Sequence, residues 1–135
     1  MHMERIVLDT DVSSRSINDK LPPSLGARLG TAQFSITFVT LGELAQWATF
    51  RDWGPRSRAR LGRWLASKAI LPYNEDVARK WGQLSGFALR RGRPRPANDT
   101  WIAACCLVYD LPLATLNVKD FTDFAEHEGL AIITA

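Results

Sequence analysis

Short apolar runs alternate along the chain with stretches whose apolar positions recur every three or four residues, the signature of strands and helices taken in turn. Arg5-Ile6-Val7-Leu8 is continuous, lacks alternation and ends at Asp9, as a parallel strand buried on both faces does. The polar, proline-interrupted stretch from Ser13 to Pro23 carries no such signal, and Ser24 to Leu29 predicts a short helix. Phe34 to Phe38 reads as a second strand. Thr40-Leu41-Gly42-Glu43 then opens a helix to about Phe50 with the spacing of a capping box.

Gly54-Pro55 interrupts, and Arg56 to Lys68 places Ala59, Leu61, Trp64 and Leu65 on one side and Arg56, Arg60 and Arg63 on another. After the short apolar Ile70-Leu71-Pro72-Tyr73, Asn74 caps a helix from Glu75 to Leu89. Arg90 to Pro96 is a basic loop, and Asn98 caps a helix from Asp99 to Tyr109 that is apolar almost all round. Pro112 to Thr115 predicts a strand, Asn117 to Phe124 a turn and short helix, and Ala131 to Thr134 a last strand. This order implies an α/β fold: a mostly parallel sheet covered by helices on both faces, with ligands met at the carboxyl ends of the strands.

Composition narrows the class. With 135 residues, 46% apolar and 23% charged, the chain is expected to form one folded domain, and a disordered reading is excluded. The formal charge of +3 is mildly basic. Cys105 and Cys106 are adjacent on an expected helix, where side chains diverge and a disulfide between them is geometrically unfavourable. Met1 to Asp11 lacks the features of a signal peptide, and no run reaches the ~18 apolar residues of a membrane span, so a reduced, cytoplasmic protein is expected.

Chemistry enters with the residues just beyond each strand. Asp9 ends the first strand, Glu43 comes shortly after the second, Asp99 starts the apolar helix, and Asp120 comes after the strand that ends at Thr115. No local motif unites them, so only the fold can assemble them. Each also has an ordinary structural role: Glu43 completes a capping box, Asp99 suits a helix N-terminus, Asp9 can bond turn amides, and Asp120 can be a solvated surface acid. If they converge, two charges ~5 Å apart repel by roughly 3 kcal/mol at an effective dielectric of ~20. A proton or a cation must then join them. An all-oxygen donor set favours Mg²⁺, with Mn²⁺ as a substitute, and such ions recruit phosphate oxygens. Zinc is disfavoured, because His2 and His127 are far apart in sequence.

Four segments resemble, in order, the motifs of PIN-domain ribonucleases, and specifically the VapC toxins of bacterial toxin–antitoxin operons. They are Val7-Leu8-Asp9-Thr10-Asp11, Ser35 to Leu44, Pro96 to Ala104, and Leu113 to Phe121. The resemblance implies a three-layer α/β/α sandwich, a Mg²⁺-dependent endoribonuclease, a homodimeric toxin and inhibition by a cognate VapB-type antitoxin. By position, Asp9, Glu43, Asp99 and Asp120 are the acidic quartet, with Asp9 and Asp99 expected to touch the metal directly. Asp11 stands where the family often has Asn, and either helps to hold the metal through water or, the favoured expectation, bonds Thr115 or Asn117 in support. Thr115 and Asn117 either orient an acid or the attacking water, or simply shape the turn. Arg90, Arg91, Arg93 and Arg95 are tethered beside Asp99, and at least one of them is expected to contact RNA phosphates, whereas a solvated basic face is the ordinary meaning of such a run. Trp64, Trp81 and Trp101 lie on apolar helical faces and are expected in the core.

Two other readings compete. Leu8-Asp9-Thr10-Asp11-Val12 also resembles the nucleophilic strand end of haloacid-dehalogenase-like phosphatases, with Asp9 attacking phosphorus, but that reading gives Glu43 no role. A catalytically inert RNA- or protein-binding module would use the arginines as its surface and the acids as caps.

Overall fold

A computed structural model of the chain describes residues 4–135. His2, set aside as a zinc ligand, and the first residues of the stretch weighed as a signal peptide lie outside the described residues. Strand β1 (Arg5–Leu8) is followed by α1 (Thr10–Ile17), α2 (Pro23–Leu29), β2 (Gln33–Thr37), α3 (Phe38–Phe50), α4 (Pro55–Ala66) and β3 (Ala69–Leu71). Then come α5 (Glu75–Arg90), α6 (Ala97–Val108), β4 (Leu113–Ala114), α7 (Val118–Glu128) and β5 (Ile132–Ile133). The five strands form one sheet in the order β3-β2-β1-β4-β5, and every pairing is parallel.

The alternation of side chains along β1 builds two cores. Val7 faces a cluster with Leu84 of α5, Ile102 to Cys106 of α6, and Phe121 and Phe124 of α7. Ile6 and Leu8 face the other side, against Val12, Leu25, Leu29 and Ile36, with Trp64 and Leu65 of α4 packed on the rim. The result is the expected three-layer α/β/α sandwich. Trp81 and Trp101 stack at 5.2 Å on the first cluster, so all three expected core tryptophans are partly buried against the two cores. Cys105 and Cys106 are free and buried, and burial pushes the Cys105 thiol up to about 12.

Three local expectations are corrected. The polar stretch after Asp9 is helical: Asp9 caps α1 by accepting from the Val12 amide at 2.8 Å, and the small polar Thr10 and Ser13 are buried where apolar residues were sought. The capping box at Thr40 does not form, because α3 starts three residues earlier than that box requires and Thr37 is its cap, accepting from the Thr40 amide at 3.2 Å. Asn98 is not a cap either: α6 begins at Ala97 after Pro96, whose carbonyl accepts from the Thr100 hydroxyl at 2.8 Å. Asn74, by contrast, caps α5 as expected, accepting from the Val77 amide at 2.8 Å. The last helix, α7, runs four residues past its expected end.

Strand β1 is paired with β2 on one side and β4 on the other, so the chain builds the sheet outward from β1 first to one edge and then to the other. This switch opens a crevice at the carboxyl ends of β1 and β4, where open parallel sheets bind their ligands.

Candidate active site

Asp9 and Thr115 are the first residues beyond β1 and β4; Asp9 walls the crevice, and Thr115 is buried behind it. A cavity of about 150 Å³ sits there, and all five acids of interest, Asp9, Asp11, Glu43, Asp99 and Asp120, line it. Asn117 lines it too, with Trp47, Ile102 and Phe121 as apolar walls. The capping geometry accounts for the convergence. Asp9 precedes α1, Glu43 lies in the second turn of α3, and Asp99 and Asp120 both fall in the first turn of their helices.

Each innermost carboxylate is held by hydroxyls or amides. Asp9 is 4% exposed; its Oδ1 accepts from the Val12 amide and its Oδ2 from the Thr115 hydroxyl at 2.6 Å. The Thr115 Oγ1 accepts in turn from the Asn117 amide at 2.9 Å, which fixes the direction of its own proton toward Asp9. Glu43 Oε1 accepts from the Thr10 hydroxyl at 2.8 Å, and Thr10 lies 3.0 Å from the Thr40 hydroxyl. Thr10 and Thr40 were not singled out from sequence. Their signal was present, since one follows Asp9 directly and the other lies three residues before Glu43, but a hydroxyl's partner depends on tertiary placement.

The electrostatics match the crowding. Burial, followed by the charges of Asp11 and Asp99, raises Asp9 to about 6, although its bonds from Thr115 and Val12 pull it down. Asp99 is likewise raised to about 6, by burial and then by Asp120 and Glu43, while Arg95 opposes the rise. Among the described residues, none of Asp9, Glu43, Asp99 and Asp120 has a cationic side chain within 4.0 Å. The donor set is all oxygen and short of positive charge, which fits a hard divalent cation.

The supporting residues are sorted differently from expectation. Asp11 does not bond Thr115 or Asn117; it pairs with Arg15 one turn on at 3.3 Å, because α1 presents the two at i and i+4. The four loop arginines diverge. Arg95 is close enough to Asp99 to lower its proton affinity, and Arg93 bonds Asp123 at 3.5 Å while lining a separate basic hollow with Arg95 and Lys119. Arg91 turns to Glu128 at 3.7 Å and Arg90 lies over Phe87 at 5.9 Å. The four arginines therefore do not share one face, and Arg93 and Arg95 are the two that line the same hollow. Away from the crevice, Asp123, Glu126 and His127 of α7 bring one ligand atom each within 4.8 Å of one another, so His127 has neighbouring acids that its sequence distance from His2 concealed.

An all-parallel sheet between helical layers, with acids gathered at its switch point, defines a PIN-like α/β fold. No family model matches the chain. It is 32% identical over 132 residues to the ribonuclease VapC5 of Mycobacterium tuberculosis, a match covering 94% of this chain and 90% of that protein. The solved structure of the VapBC-5 toxin–antitoxin system of M. tuberculosis superposes with a TM-score of 0.69 at 29% identity, over 97% of this chain and 98% of that one. VapBC2 from Rickettsia felis, bound to a DNA fragment of its promoter, has a TM-score of 0.82 at 20% identity, over 97% and 98% of the two chains, a likeness of fold. The chain belongs to the VapC family of ribonucleases. That membership leaves the phosphatase reading without support.

Proposed function

We propose that this protein is a divalent-metal-dependent endoribonuclease, the toxin of a toxin–antitoxin pair, and that Asp9, Glu43, Asp99 and Asp120 carry its chemistry. The single observation behind this reading is the crevice itself: Asp9, Glu43, Asp99 and Asp120 gather around about 150 Å³, and none of them has a cationic side chain within 4.0 Å among the described residues. Asp9 and Asp99, the two acids whose proton affinity is raised, would hold Mg²⁺, or Mn²⁺ in its place. When bound, such a cation supplies charge for the attacked phosphate and lowers the pKa of a coordinated water.

The remaining roles belong to the chain. Thr115 and the Val12 amide orient Asp9, each occupying one of its oxygens, and Thr10 fixes Glu43. Glu43 and Asp120 bond and orient water on the open side of the crevice, and Asn117 lines its mouth. Arg93 and Arg95 meet the backbone phosphates beyond the reacting one. Hydrolysis by water in line with the leaving oxygen yields a 5′-phosphate and a 3′-hydroxyl.

The solved relative from M. tuberculosis is a toxin–antitoxin complex, and the same arrangement is proposed here: a VapB-type antitoxin whose arginine enters the acidic crevice, acting on a homodimeric toxin in the cytoplasm. Asp99→Asn tests the core of the reading. Cleavage of total cellular RNA in millimolar Mg²⁺ is expected to fall about 1000-fold, the scale of several kcal/mol of lost electrostatic stabilisation. Cleavage unchanged by the substitution, or by chelation of divalent ions, overturns it, and a wild type that cleaves no RNA favours an inert binding module.

A further inference from the structure

Trp47 belongs to two neighbouring hollows. It lines the acidic crevice beside Glu43, and with Gln46, Phe50 and Arg51 it also walls an open cavity of about 330 Å³ at the end of α3. Helical spacing explains the sharing. Residues 43, 47 and 50–51 succeed one another at three and four positions, so they form one stripe with steps of about 5 to 6 Å along the axis. A strand whose phosphate sits beside Glu43 therefore meets the Trp47 ring next and Phe50 after it.

The stripe has the groups that a nucleotide uses. Phe50 is 86% exposed, the most exposed large apolar side chain among the described residues, and together with Trp47 it makes an apolar patch open to water. The Arg51 guanidinium lies over the Trp47 ring, 5.1 Å from its centroid, adding a positive charge beside the aromatic face. Gln46 brings an amide with both donors and an acceptor. Aromatic faces take unstacked bases, and guanidinium groups take the phosphates between them. A purely apolar protein segment would leave the guanidinium and the amide unused.

We infer that the hollow of Gln46, Trp47, Phe50 and Arg51 is a base subsite, in which an unpaired nucleobase next to the scissile phosphate stacks on Trp47 and Phe50 while Arg51 meets its phosphate. This end of α3 then sets the base preference of cleavage. The inference rests on the ribonuclease reading and adds to it the place of one nucleotide.

The test starts from a cut mapped in total RNA and uses a synthetic single-stranded RNA spanning it, intact or abasic at each flanking position in turn. For the wild type, removing the base at one of these positions is expected to raise KM by roughly 5- to 150-fold with kcat little changed, the range expected for one stacked base. Trp47→Ala and Phe50→Ala are expected to erase most of that discrimination, and Trp47→Phe to keep it. Phe50 does not line the acidic crevice, so its variant separates lost stacking from damage to the acids. Equal slowing of intact and abasic RNA overturns the inference. So does unaltered cleavage of intact RNA by both alanine variants together with weakened binding of the antitoxin, which would give the surface to a protein. An active wild type that is silenced by Asp99→Asn yet indifferent to the flanking bases overturns this inference alone, whereas a wild type with no cleavage in Mg²⁺ or Mn²⁺ overturns both.

Discussion

Helix α7 carries two kinds of acid a few residues apart, and they live differently. Asp123 is buried and Glu128 nearly so, yet each faces a guanidinium, Arg93 at 3.5 Å and Arg91 at 3.7 Å. Asp120, one turn earlier, joins four other acids around the crevice and has no cationic side chain within 4.0 Å among the described residues. The chain therefore neutralises carboxylates by arginine where they tie the basic loop to α7. At the crevice Asp9, Glu43, Asp99 and Asp120 have no cationic side chain within 4.0 Å among the described residues, and burial first, then the neighbouring acids, make Asp9 and Asp99 hold their protons more tightly. Uncompensated charge at the carboxyl edge of a parallel sheet is a cost in the free protein that a bound cation removes.

The largest effect expected from this contrast is an opposition between activity and stability. Asp99→Asn removes one member of the repelling set, so the roughly 1000-fold loss of cleavage is expected to accompany a higher melting temperature in metal-free buffer at pH 7.5. Calorimetry of the two proteins with chelator present checks it. A variant that is both inactive and less stable breaks the comparison, because Asp99 would then be a structural acid like Asp123.

Metal and pH sharpen the same point. Millimolar Mg²⁺ is expected to raise the wild-type melting temperature at pH 7.5 by about 5 to 10 °C and that of Asp99→Asn by much less, as binding to the folded state alone requires. In metal-free buffer the acids act through their protons. Asp9 titrates at about 6 in the folded chain against 3.8 as its ordinary value, so it favours folding below pH 3.8, and that contribution is lost as pH rises through 6. The shift corresponds to about 3 kcal/mol for the buried Asp9 and to less for Asp99, which is partly exposed and screened. Relative to Asp99→Asn, the metal-free wild type is expected to lose stability between pH 4 and pH 7. A flat difference across that range would mean that neither burial nor its neighbours raise the proton affinity of Asp99.

The part of this region that could be read in the sequence is the set of acids, because strand ends are marked by short apolar runs and the residues after them are few. The alternation of runs and helical stretches also gave the parallel sheet and its two helical layers. What stayed hidden was what the polar side chains bond to. Thr40 and Glu43 have the spacing of a capping box, but the helix begins at Phe38, so Thr40 faces Thr10 and Glu43 takes its hydrogen bond from Thr10, 33 residues away. Asp11 has a nearer partner in Arg15 than any across the crevice. Helix α1 was hidden for a related reason: its buried face uses Thr10 and Ser13, which read as polar and hence as loop. Spacing finds residues on one helix face; it does not reveal partners brought together by the sheet.

A smaller effect is expected at the hydroxyl that points Asp9. Thr115→Val removes the 2.6 Å bond to Oδ2 while preserving shape, and bonds of this type to ligating groups change metal affinity by roughly 10- to 100-fold. The Mg²⁺ concentration for half-maximal cleavage should rise by about tenfold or more, saturating Mg²⁺ should restore most activity, and Thr115→Ser should behave like the wild type. Loss of activity that Mg²⁺ cannot restore would place Thr115 in the chemical step rather than in positioning.

The smallest effect is expected on the compensated side of α7, where it matters most for the comparison. Glu128→Gln keeps the size of the side chain and removes the negative partner of Arg91, whose Nε and one terminal nitrogen already lack hydrogen-bond partners in their buried position. The pair is partly buried, so losing it should lower stability by about 1 kcal/mol, more than a fully exposed pair gives and less than a fully buried one. Cleavage and its Mg²⁺ dependence should stay within about twofold of the wild type, since the substitution leaves every crevice acid and its hydroxyl in place. Denaturant unfolding and a Mg²⁺ titration on the same preparation separate the two outcomes. If Glu128→Gln instead shifts the Mg²⁺ dependence, the two kinds of acid on α7 share one electrostatic field, and the division between ion-paired and uncompensated charge does not hold.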